Sequence, residues 1–360
     1  MTDTALLGLT WLSSLLSGLL LVATKRWHGQ LSMDGTDGVQ KFHTAPTPRI
    51  GGVPVVLALV YAATQVDAAT QALLLPLLVA GLPAFLFGLA EDITKRVGVL
   101  ARLLATMASG VLAWWLTSYS LTRLGVWGLD WALQFMPLSV LFTAFAVGGV
   151  ANSINIIDGF NGLASSASAI MLAGLGLVAL QLGDMALFQL CLLLAAAVLG
   201  FFCVNWPFGK LFMGDGGSYF VGFSLAWVAV LLVQRHPSVS PFACLLACIL
   251  PITEVLYSIY RRRVRNQHPG MPDRLHFHSL VNRRYVARWL KRWSVTVRNS
   301  FTGLTVGLMA LPSAAVLQVS YDSHLLAIAA SLGFMLGYLA LYARMTRHSW
   351  KFLFINPERR

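Results

Sequence analysis

Long apolar stretches separated by short polar segments run the length of the chain. An apolar run of about 18 residues or more predicts a membrane-spanning helix, because a helix satisfies its own backbone amides inside lipid. The pattern therefore predicts an all-α, polytopic integral membrane bundle. We expect eleven spans, at about residues 4–24, 50–67, 71–90, 100–119, 133–151, 163–182, 185–204, 217–234, 240–260, 299–319 and 324–345.

The composition supports this prediction. Only 11% of the residues are charged and 57% are hydrophobic, whereas about a quarter of the residues of a soluble domain are charged. An ordinary soluble domain is thereby excluded. The chain shows no internal repeat or linker, so we expect one integral membrane domain at residues 1–360. All four cysteines fall inside predicted spans without the spacing of a metal site, which favours buried structural thiols.

The basic residues predict the orientation. Lys25 and Arg26 follow the first span, which argues against a cleaved signal peptide and for an outer N-terminus. With eleven crossings, 24 of the 26 Lys and Arg then lie in inward segments, and only Arg123 and Arg235 lie outside. The positive-inside rule thus places the C-terminus in the cytoplasm. The net charge of +12 suits anionic lipid or an anionic substrate on that face, and no soluble basic domain exists to hold nucleic acid.

Carboxylates gather where predicted helices reach this inner face. Glu91 and Asp92 end one span and are followed by Lys95 and Arg96. The basic pair is typical of a positive-inside anchor. Two acids at a helix C-terminus oppose the helix dipole, so an anchor alone does not explain them. We therefore expect the acidic pair to have a function.

A second polar cluster lies in the stretch VANSINIIDGFNGLASS. Asn152, Asn155 and Asp158 recur every three residues, which on a helix places them on one face. Gly159 and Gly162 allow a sharp turn or a close approach to a ligand. An ordinary interhelical loop would also contain Asx and Gly residues, but it does not need a polar stripe before it.

Two further inward segments carry candidate chemistry. Asp215 lies in a Gly-Asp-Gly-Gly turn that opens a span, where backbone amides could cradle phosphate oxygens. The alternative is an N-cap Asp with turn glycines. Residues 261–298 hold eleven basic residues together with His276 and His278. This loop predicts either a phosphate-binding site or a positive-inside anchor, and the two histidines do not share a helix face as a zinc pair would.

These clusters together indicate phosphoryl transfer beside a bilayer. Carboxylates can hold Mg²⁺, which usually also binds substrate phosphates. Metal and basic side chains would neutralise a diphosphate under attack, while protein groups align the nucleophile.

At these residues the chain resembles the polyprenyl-phosphate N-acetylhexosamine-1-phosphate transferases. That superfamily includes the initiators of O-antigen, enterobacterial common antigen and teichoic acid synthesis, and the phospho-MurNAc-pentapeptide translocase. The resemblance covers about residues 40–285. It is carried by five stretches in the expected order, namely HTAPTPRIGG, EDITK, NSINIIDGFNGL, FMGDGGS and DRLHFH.

The resemblance implies a reaction and a place for it. The phosphate of undecaprenyl phosphate would attack the β-phosphorus of a UDP-HexNAc, giving undecaprenyl-diphospho-HexNAc and UMP, with Mg²⁺ or Mn²⁺ bound. The enzyme would lie in the bacterial inner membrane, as a monomer or homodimer, with its active site on the cytoplasmic face. The segments that build the site would be 40–50, 91–102, 152–163, 205–218 and 261–285.

The resemblance also implies residue roles. Asp215 would be the principal metal ligand, with Asp158 in the same cluster. Asp92 would deprotonate or orient the lipid phosphate, and Asp158, Glu91 and Asn155 would be further catalytic residues. Contacts to phosphate, sugar or nucleotide would come from Lys95, Arg102, Asn152, Asn161, Asn205, Gly214, Arg274, His276 and His278.

Three departures from the family pattern favour one branch. Glu91 stands where an Asp is usual, Asn161 replaces the Asp of the common DGxDGL stretch, and Ser279 interrupts the usual adjacent histidines. The peptidoglycan translocase carries a run of three histidines there. These departures therefore favour the O-antigen or capsule-initiating branch.

Two other classes of membrane protein are alternatives. An ion-coupled transporter would place acids near the bilayer midplane, often in repeated halves. Here only Glu254 lies clearly within a span, and we expect it to pair with an inward Arg or to cap a kink after Pro251. A membrane aromatic prenyltransferase would need Asp-rich motifs with acids four apart, and the chain has none.

Overall fold

The computed structural model describes residues 3–34, 46–266 and 275–347, and this part of the chain is a helical bundle. In chain order the α-helices are α1 (Asp3–Ala23), α2 (Lys25–Ser32), α3 (Gly52–Ala63), α4 (Ala68–Ala80), α5 (Leu82–Thr94), α6 (Val99–Thr117), α7 (Leu129–Leu133), α8 (Met136–Ile157), α9 (Leu163–Gln181), α10 (Met185–Asn205), α11 (Gly214–Arg235), α12 (Pro241–Ala247), α13 (Ile249–Val264), α14 (Phe277–Val281), α15 (Ala287–Trp289), α16 (Val295–Gly307), α17 (Leu311–Ser320) and α18 (His324–Arg347). A π-helix (Asn282–Val286) precedes α15, and a 3₁₀ turn (Leu308–Ala310) joins α16 to α17.

One short β-ladder accompanies the helices of this all-α fold. Two two-residue strands, β1 (Met33–Asp34) and β2 (Thr47–Pro48), form an antiparallel pair. This ladder joins the end of α2 to the segment that leads into α3. It therefore fixes the approach of the chain to the first residues of α3.

The protein is a multi-pass membrane protein, as the sequence predicted. Among the described residues, eight helices are long and apolar enough to cross a membrane, or ten spans if each of two bent pairs counts once. The bends are 43° between α4 and α5 and 81° between α12 and α13. The remaining predicted span is α3, which has 12 residues. At 1.5 Å per residue it is about 18 Å long, short of a hydrocarbon core of about 30 Å. The count of eleven and the orientation remain predictions.

Helix α11 forms the centre of the bundle. Nearly all of its residues are buried, and it packs against α8, α5, α9 and α3. Small residues allow close contacts, since a Cβ on Gly222 would lie 2.7 Å from the Cα of Ala151 on α8. This close approach brings the polar end of α8 beside the first turn of α11, where Asp215 lies.

Three of the four cysteines are buried, as predicted, namely Cys191, Cys244 and Cys248. Cys203 is exposed, which corrects the prediction for that residue. It lies on the face of α10 that points away from the bundle, because helical periodicity directs only part of each peripheral helix inward.

The end of α11 opposite Asp215 is held by two arginines. Arg235 donates from Nε and Nη2 to Asp184 at 2.6 and 3.0 Å, and His236 Nε2 lies 2.9 Å from the same carboxylate. Burial raises the pKa of Asp184, but the hydrogen bonds from Arg235 and His236 outweigh it and leave the pKa below its ordinary value. Arg123 donates to three main-chain carbonyls, those of Val233, His236 and Val239. Both arginines that were predicted to lie on the outer side of the membrane therefore stabilise the ends of helices.

Replacing Asp184 by Asn should lower the stability of the protein. Asn keeps the N-cap of α10 but removes the charge that faces Arg235, at a cost of about 1–3 kcal/mol. We expect a lower thermal midpoint in detergent at neutral pH. The pairing contributes fully above the ordinary Asp pKa of 3.8 and is lost as the pH falls through the lowered pKa of the folded state. Asp322→Asn, at an exposed position, is the matched control, and equal midpoints for the two variants would contradict the assignment.

Candidate active site

Three carboxylates from three helices converge at the first turn of α11. Asp92 lies near the end of α5, Asp158 directly follows α8, and Asp215 is the second residue of α11. The side chain of Asp92 is completely buried. Its Oδ1 accepts from the backbone N–H of Asp215 and its Oδ2 from that of Gly216, both at 2.9 Å. Asp92 therefore caps α11 from a neighbouring helix.

This cap explains why acids end α5. A negative charge at the C-terminus of α5 opposes the dipole of that helix, but the same charge lies at the positive N-terminus of α11. It also changes the expectation for the Gly-Asp-Gly-Gly turn. The two amides that a phosphate cradle would use, those of Asp215 and Gly216, donate to Asp92 instead. The expectation that these two amides bind phosphate oxygens is therefore wrong for this structure.

Two arginines and an amide surround Asp215. Arg49 Nη2 lies 3.0 Å from Asp215 Oδ1, and its Nε lies 3.4 Å from Asp92 Oδ1. Arg102 Nη1 pairs with Asp215 Oδ2. Asn155 donates to Asp215 Oδ1 at 3.1 Å, as expected if the Asx stripe of α8 faces the site. Both oxygens of Asp215 are thus engaged by cationic or amide donors.

Asp158 completes the group of carboxylates. It is half-buried and close enough to Arg49, Asp215 and Asp92 for their charges to act on it. Burial raises its pKa; Arg49 opposes this effect, and the negative charges of Asp215 and Asp92 add to it. The three acids therefore share one electrostatic environment. Arg49 contacts two of them directly, Asp92 and Asp215.

Arg49 was not among the residues predicted for the site. It lies in HTAPTPRIGG, between β2 and α3, and a basic residue before two glycines at a helix start was the signal available. Its position is set by main-chain pairing: Phe212 N–H donates to Pro48 O at 2.8 Å, and Gly51 N–H to Phe212 O at 2.9 Å. These bonds hold the residues before α3 against the residues before α11.

Gly214 is required at the centre of this arrangement. It adopts φ +73°, a conformation that favours glycine. A Cβ at this position would lie 2.5 Å from Asp92 Oδ2 and closer still to the carbonyl oxygen of Arg49. The glycine therefore admits the backbone of Arg49 rather than leaving space for a ligand.

The segment of His276 to His278, here called the histidine segment, contacts the turn that follows α8 at Gly159 and Phe160. The predicted site requires this proximity. The rings of His276 and His278 stack with centroids 5.3 Å apart and planes 13° apart. His278 also packs edge-on against Phe160, and its Nε2 lies 3.1 Å from where a Cβ on Gly159 would stand. Gly159 follows Asp158 in the chain, so the two histidines lie beside the cluster of three acids. Arg274 lies outside the described residues, and its predicted role stays a prediction.

Other predicted residues make contacts within the protein. Lys95 Nζ donates to the carbonyl of Asp92 at 2.6 Å, and Glu91 Oε2 accepts from the N–H of Val97 at 2.8 Å. Asn152 donates to Thr106 Oγ1 at 3.2 Å. These contacts shape the end of α5 and join α8 to α6. The catalytic role predicted for Glu91 and the substrate roles of the others remain predictions.

Asn161 and Asn205 hold the segment between α8 and α9 in place. The side chain of Asn161 donates to Ser300 at 3.0 Å, and its backbone N–H donates to Asn299 Oδ1 at 2.7 Å. Asn205 accepts from the N–H of Gly162 and donates to a main-chain carbonyl at 2.8 Å. Both side chains are buried. Their amides stabilise the protein itself, and the predicted substrate contacts stay predictions.

The donor atoms of the site suit Mg²⁺, which takes oxygen ligands. Asp215 and Asp158 offer carboxylate oxygens, with the amide of Asn155 beside them. In the part of the chain that the structure describes, no group of three or more His, Cys, Asp or Glu is arranged to hold an ion. Arg49 and Arg102 instead occupy both oxygens of Asp215. A cation bound there would compete with these arginines for the negative charge of Asp215.

Comparison with known proteins shows which proteins the chain resembles. The profile of glycosyl transferase family 4 matches residues 74–233, which include the three acids but neither Arg49 nor the histidines. Over these residues the chain is similar to glycosyl transferase family 4. Undecaprenyl-phosphate α-N-acetylglucosaminyl 1-phosphate transferase of Escherichia coli K12 is 28% identical over 318 residues, 87% of this chain and 83% of that protein. The corresponding protein of Salmonella typhimurium is 27% identical over 319 residues, with the same coverage of both chains.

A relative from another bacterium extends the comparison. The probable undecaprenyl-phosphate N-acetylglucosaminyl 1-phosphate transferase of Bacillus subtilis is 29% identical over 248 residues, 66% of each chain. These similarities confirm the resemblance to the polyprenyl-phosphate N-acetylhexosamine-1-phosphate transferases. The protein is thus a membrane glycosyltransferase, similar to glycosyl transferase family 4 over residues 74–233.

Replacing Gly214 by Ala should disrupt the site. The new methyl group would meet the carbonyl of Arg49 and the carboxylate of Asp92 in a strained backbone, costing about 1–3 kcal/mol or more. We expect a clear fall in the thermal midpoint of the purified protein. Gly98→Ala is the matched control, because no heavy atom lies within 4 Å of where its Cβ would stand and its φ is negative. A Gly214→Ala protein as stable as Gly98→Ala would contradict the close approach.

Proposed function

We propose that the protein transfers GlcNAc-1-phosphate from UDP-GlcNAc to undecaprenyl phosphate, giving undecaprenyl-diphospho-GlcNAc and UMP. The observation that carries this proposal is the convergence of Asp92, Asp158 and Asp215 with Arg49 and Arg102 at the start of α11. The names of the family 4 relatives support both the carrier and the amino sugar. We further propose that the product initiates an O-antigen or related cell-envelope glycan.

The residues of the site suit attack on a diphosphate. An oxygen of the carrier phosphate forms a bond to the β-phosphorus of the donor, and the bond from that phosphorus to the bridging oxygen breaks, releasing UMP. Arg49 and Arg102 can turn from Asp215 to the phosphate oxygens, where guanidinium groups donate two hydrogen bonds at once. Charge neutralisation and alignment supply most of the catalysis in phosphoryl transfer.

Asp215 and Asp158 would hold Mg²⁺, which when bound draws charge from the diphosphate as a Lewis acid. Asp92 keeps the first turn of α11 in place through its two backbone hydrogen bonds, so that Asp215 faces the substrate. We keep for Asp92 the further role of orienting the carrier phosphate. His276 and His278 would contact the donor from the opposite side of Asp158.

We propose the bacterial inner membrane as the location, with the site at the cytoplasmic face. Asp215 and Arg235 lie at opposite ends of α11. Twenty residues of helix span about 30 Å, the thickness of the hydrocarbon core. The carboxylates and the two arginines expected outside, Arg123 and Arg235, are therefore on opposite sides of the bundle. The excess of Lys and Arg on the side of Asp215 supports the cytoplasmic assignment.

The transporter alternative gains no support from Glu254, the acid that the sequence places clearly within a span. Glu254 accepts hydrogen bonds from His276, Phe277 and Tyr338. A carboxylate held by three donors is not available to exchange an ion without dismantling those contacts.

The proposal is tested by assaying UMP release from UDP-GlcNAc with undecaprenyl phosphate and Mg²⁺, using protein in lipid nanodiscs. We expect turnover to require the carrier and to stop on addition of EDTA. Asp215→Asn should lower kcat about 100-fold or more, because it removes the negative charge that would hold Mg²⁺ and that pairs with Arg49 and Arg102. Asp322→Asn, an exposed carboxylate in a distant turn, should keep wild-type activity.

Two results would overturn the proposal. Wild-type protein that releases no UMP from any UDP-HexNAc in a panel of donors would exclude the reaction. Full turnover by Asp215→Asn would exclude the assignment of Asp215. A panel in which another UDP-HexNAc reacts faster than UDP-GlcNAc would change only the sugar.

Arg49 should also prove necessary for turnover. Lys has a single ammonium group and cannot span Asp92 and Asp215 as the guanidinium does at 3.4 and 3.0 Å. We expect Arg49→Lys to lower kcat about 10- to 100-fold while the protein stays folded. Arg96→Lys is the control, since Arg96 is exposed beyond the end of α5. Equal activity of both variants would remove Arg49 from the site.

A further inference from the structure

Glu254 is a buried carboxylate that the proposed reaction does not use. It lies in α13, just after the 81° bend, and is 3% exposed. His276 Nδ1 is 2.8 Å from its Oε1, while the N–H of Phe277 and the hydroxyl of Tyr338 donate to its Oε2 at 3.1 and 2.7 Å. Two of these three donors belong to the histidine segment. Glu254 therefore faces the site rather than an arginine or a helix kink, which corrects the expectation from the sequence.

The three contacts determine which way the His276 ring presents itself. A backbone amide and a hydroxyl both donate to Oε2, and an ionised carboxylate only accepts hydrogen bonds. His276 must then donate from Nδ1 to Oε1. A ligand meeting this ring would do so at the other nitrogen, Nε2.

A chain of direct contacts connects the ring of His276 to the residue next to Asp158. Its ring stacks on that of His278, which packs edge-on against Phe160 and lies against Gly159. Gly159 is the neighbour of Asp158 in the chain. A rotation of His276 would therefore disturb the stacked pair that borders Asp158.

A separate network holds the main chain of the same segment. Arg261 Nη1 donates to the carbonyl of Leu275 at 3.0 Å, and the hydroxyl of Tyr342 donates to the same carbonyl at 2.8 Å. These bonds act on the carbonyl of Leu275, whereas Glu254 acts on the His276 ring. Anchoring the backbone and orienting the ring are thus carried by different residues, which makes them separable by mutation.

We propose that Glu254 is a positioning residue for the transfer reaction, which fixes the ring and the tautomer of His276 so that Nε2 faces the substrate phosphates bound beside Asp158. This inference rests on the proposed function. Glu254 itself touches no reacting atom and acts only through His276.

A double-mutant cycle tests the coupling. In the UMP-release assay we expect Glu254→Gln to lower kcat about 10- to 100-fold, with KM for UDP-GlcNAc changed by less than about threefold. In a His276→Ala background the same change should cost less than about threefold, because no ring is left to orient. Tyr342→Phe is the control: its effect should be equal in both backgrounds. A full effect of Glu254→Gln in the His276→Ala background would overturn the proposal and leave Glu254 a structural residue.

A second measurement does not depend on turnover. ¹⁵N spectra of protein labelled in histidine, with His276 assigned by His276→Ala, report the tautomer of this ring. We expect the His276 signals to change in Glu254→Gln and to stay in place in Tyr342→Phe. Unchanged signals in Glu254→Gln would overturn the proposal. Absence of UMP release by the wild type would instead refute the proposed function, while the spectra would still decide whether Glu254 orients His276.

Discussion

The capping of α11 by Asp92 is the interaction on which the rest of the site depends. Helix α11 is almost completely enclosed, and a buried helix N-terminus leaves amides that need acceptors. Asp92 supplies two of them from α5. In return the positive end of α11 stabilises a carboxylate that its own helix disfavours. The position of Asp215, and of the arginines around it, follows from this exchange.

The same cap forces chain segments so close together that only glycine fits between them. A Cβ on Gly88 would lie 2.5 Å from the N atom of Gly216, and one on Gly52 would lie 2.5 Å from the Cα of Gly217. This closeness holds the segment of Arg49 beside Asp215. Packing and charge at the site therefore depend on each other. If the backbone of α3 moved away from α11, Arg49 would also move away from Asp215.

The sequence predicted what depends on local periodicity. Apolar runs indicated the helices, and the three-residue spacing on α8 placed Asn155 on the face that contacts Asp215. The contact of Arg49 with Asp215 joins residues 166 positions apart, and no local pattern reports such a pairing. Nor does a Gly-rich turn reveal whether its glycines face a phosphate or another backbone. In this chain they face a backbone, and the tertiary packing decides it.

Asp92 and Glu254 show one physical principle acting twice. A carboxylate within an apolar bundle is costly unless donors surround it. Each acid obtains its donors from a different part of the chain: Asp92 from the turn that opens α11, and Glu254 from the histidine segment and α18. Satisfying the acid therefore fixes the segment that supplies the donors. The apolar surroundings, which make an unpaired charge intolerable, thus give two otherwise irregular segments a defined position beside Asp158.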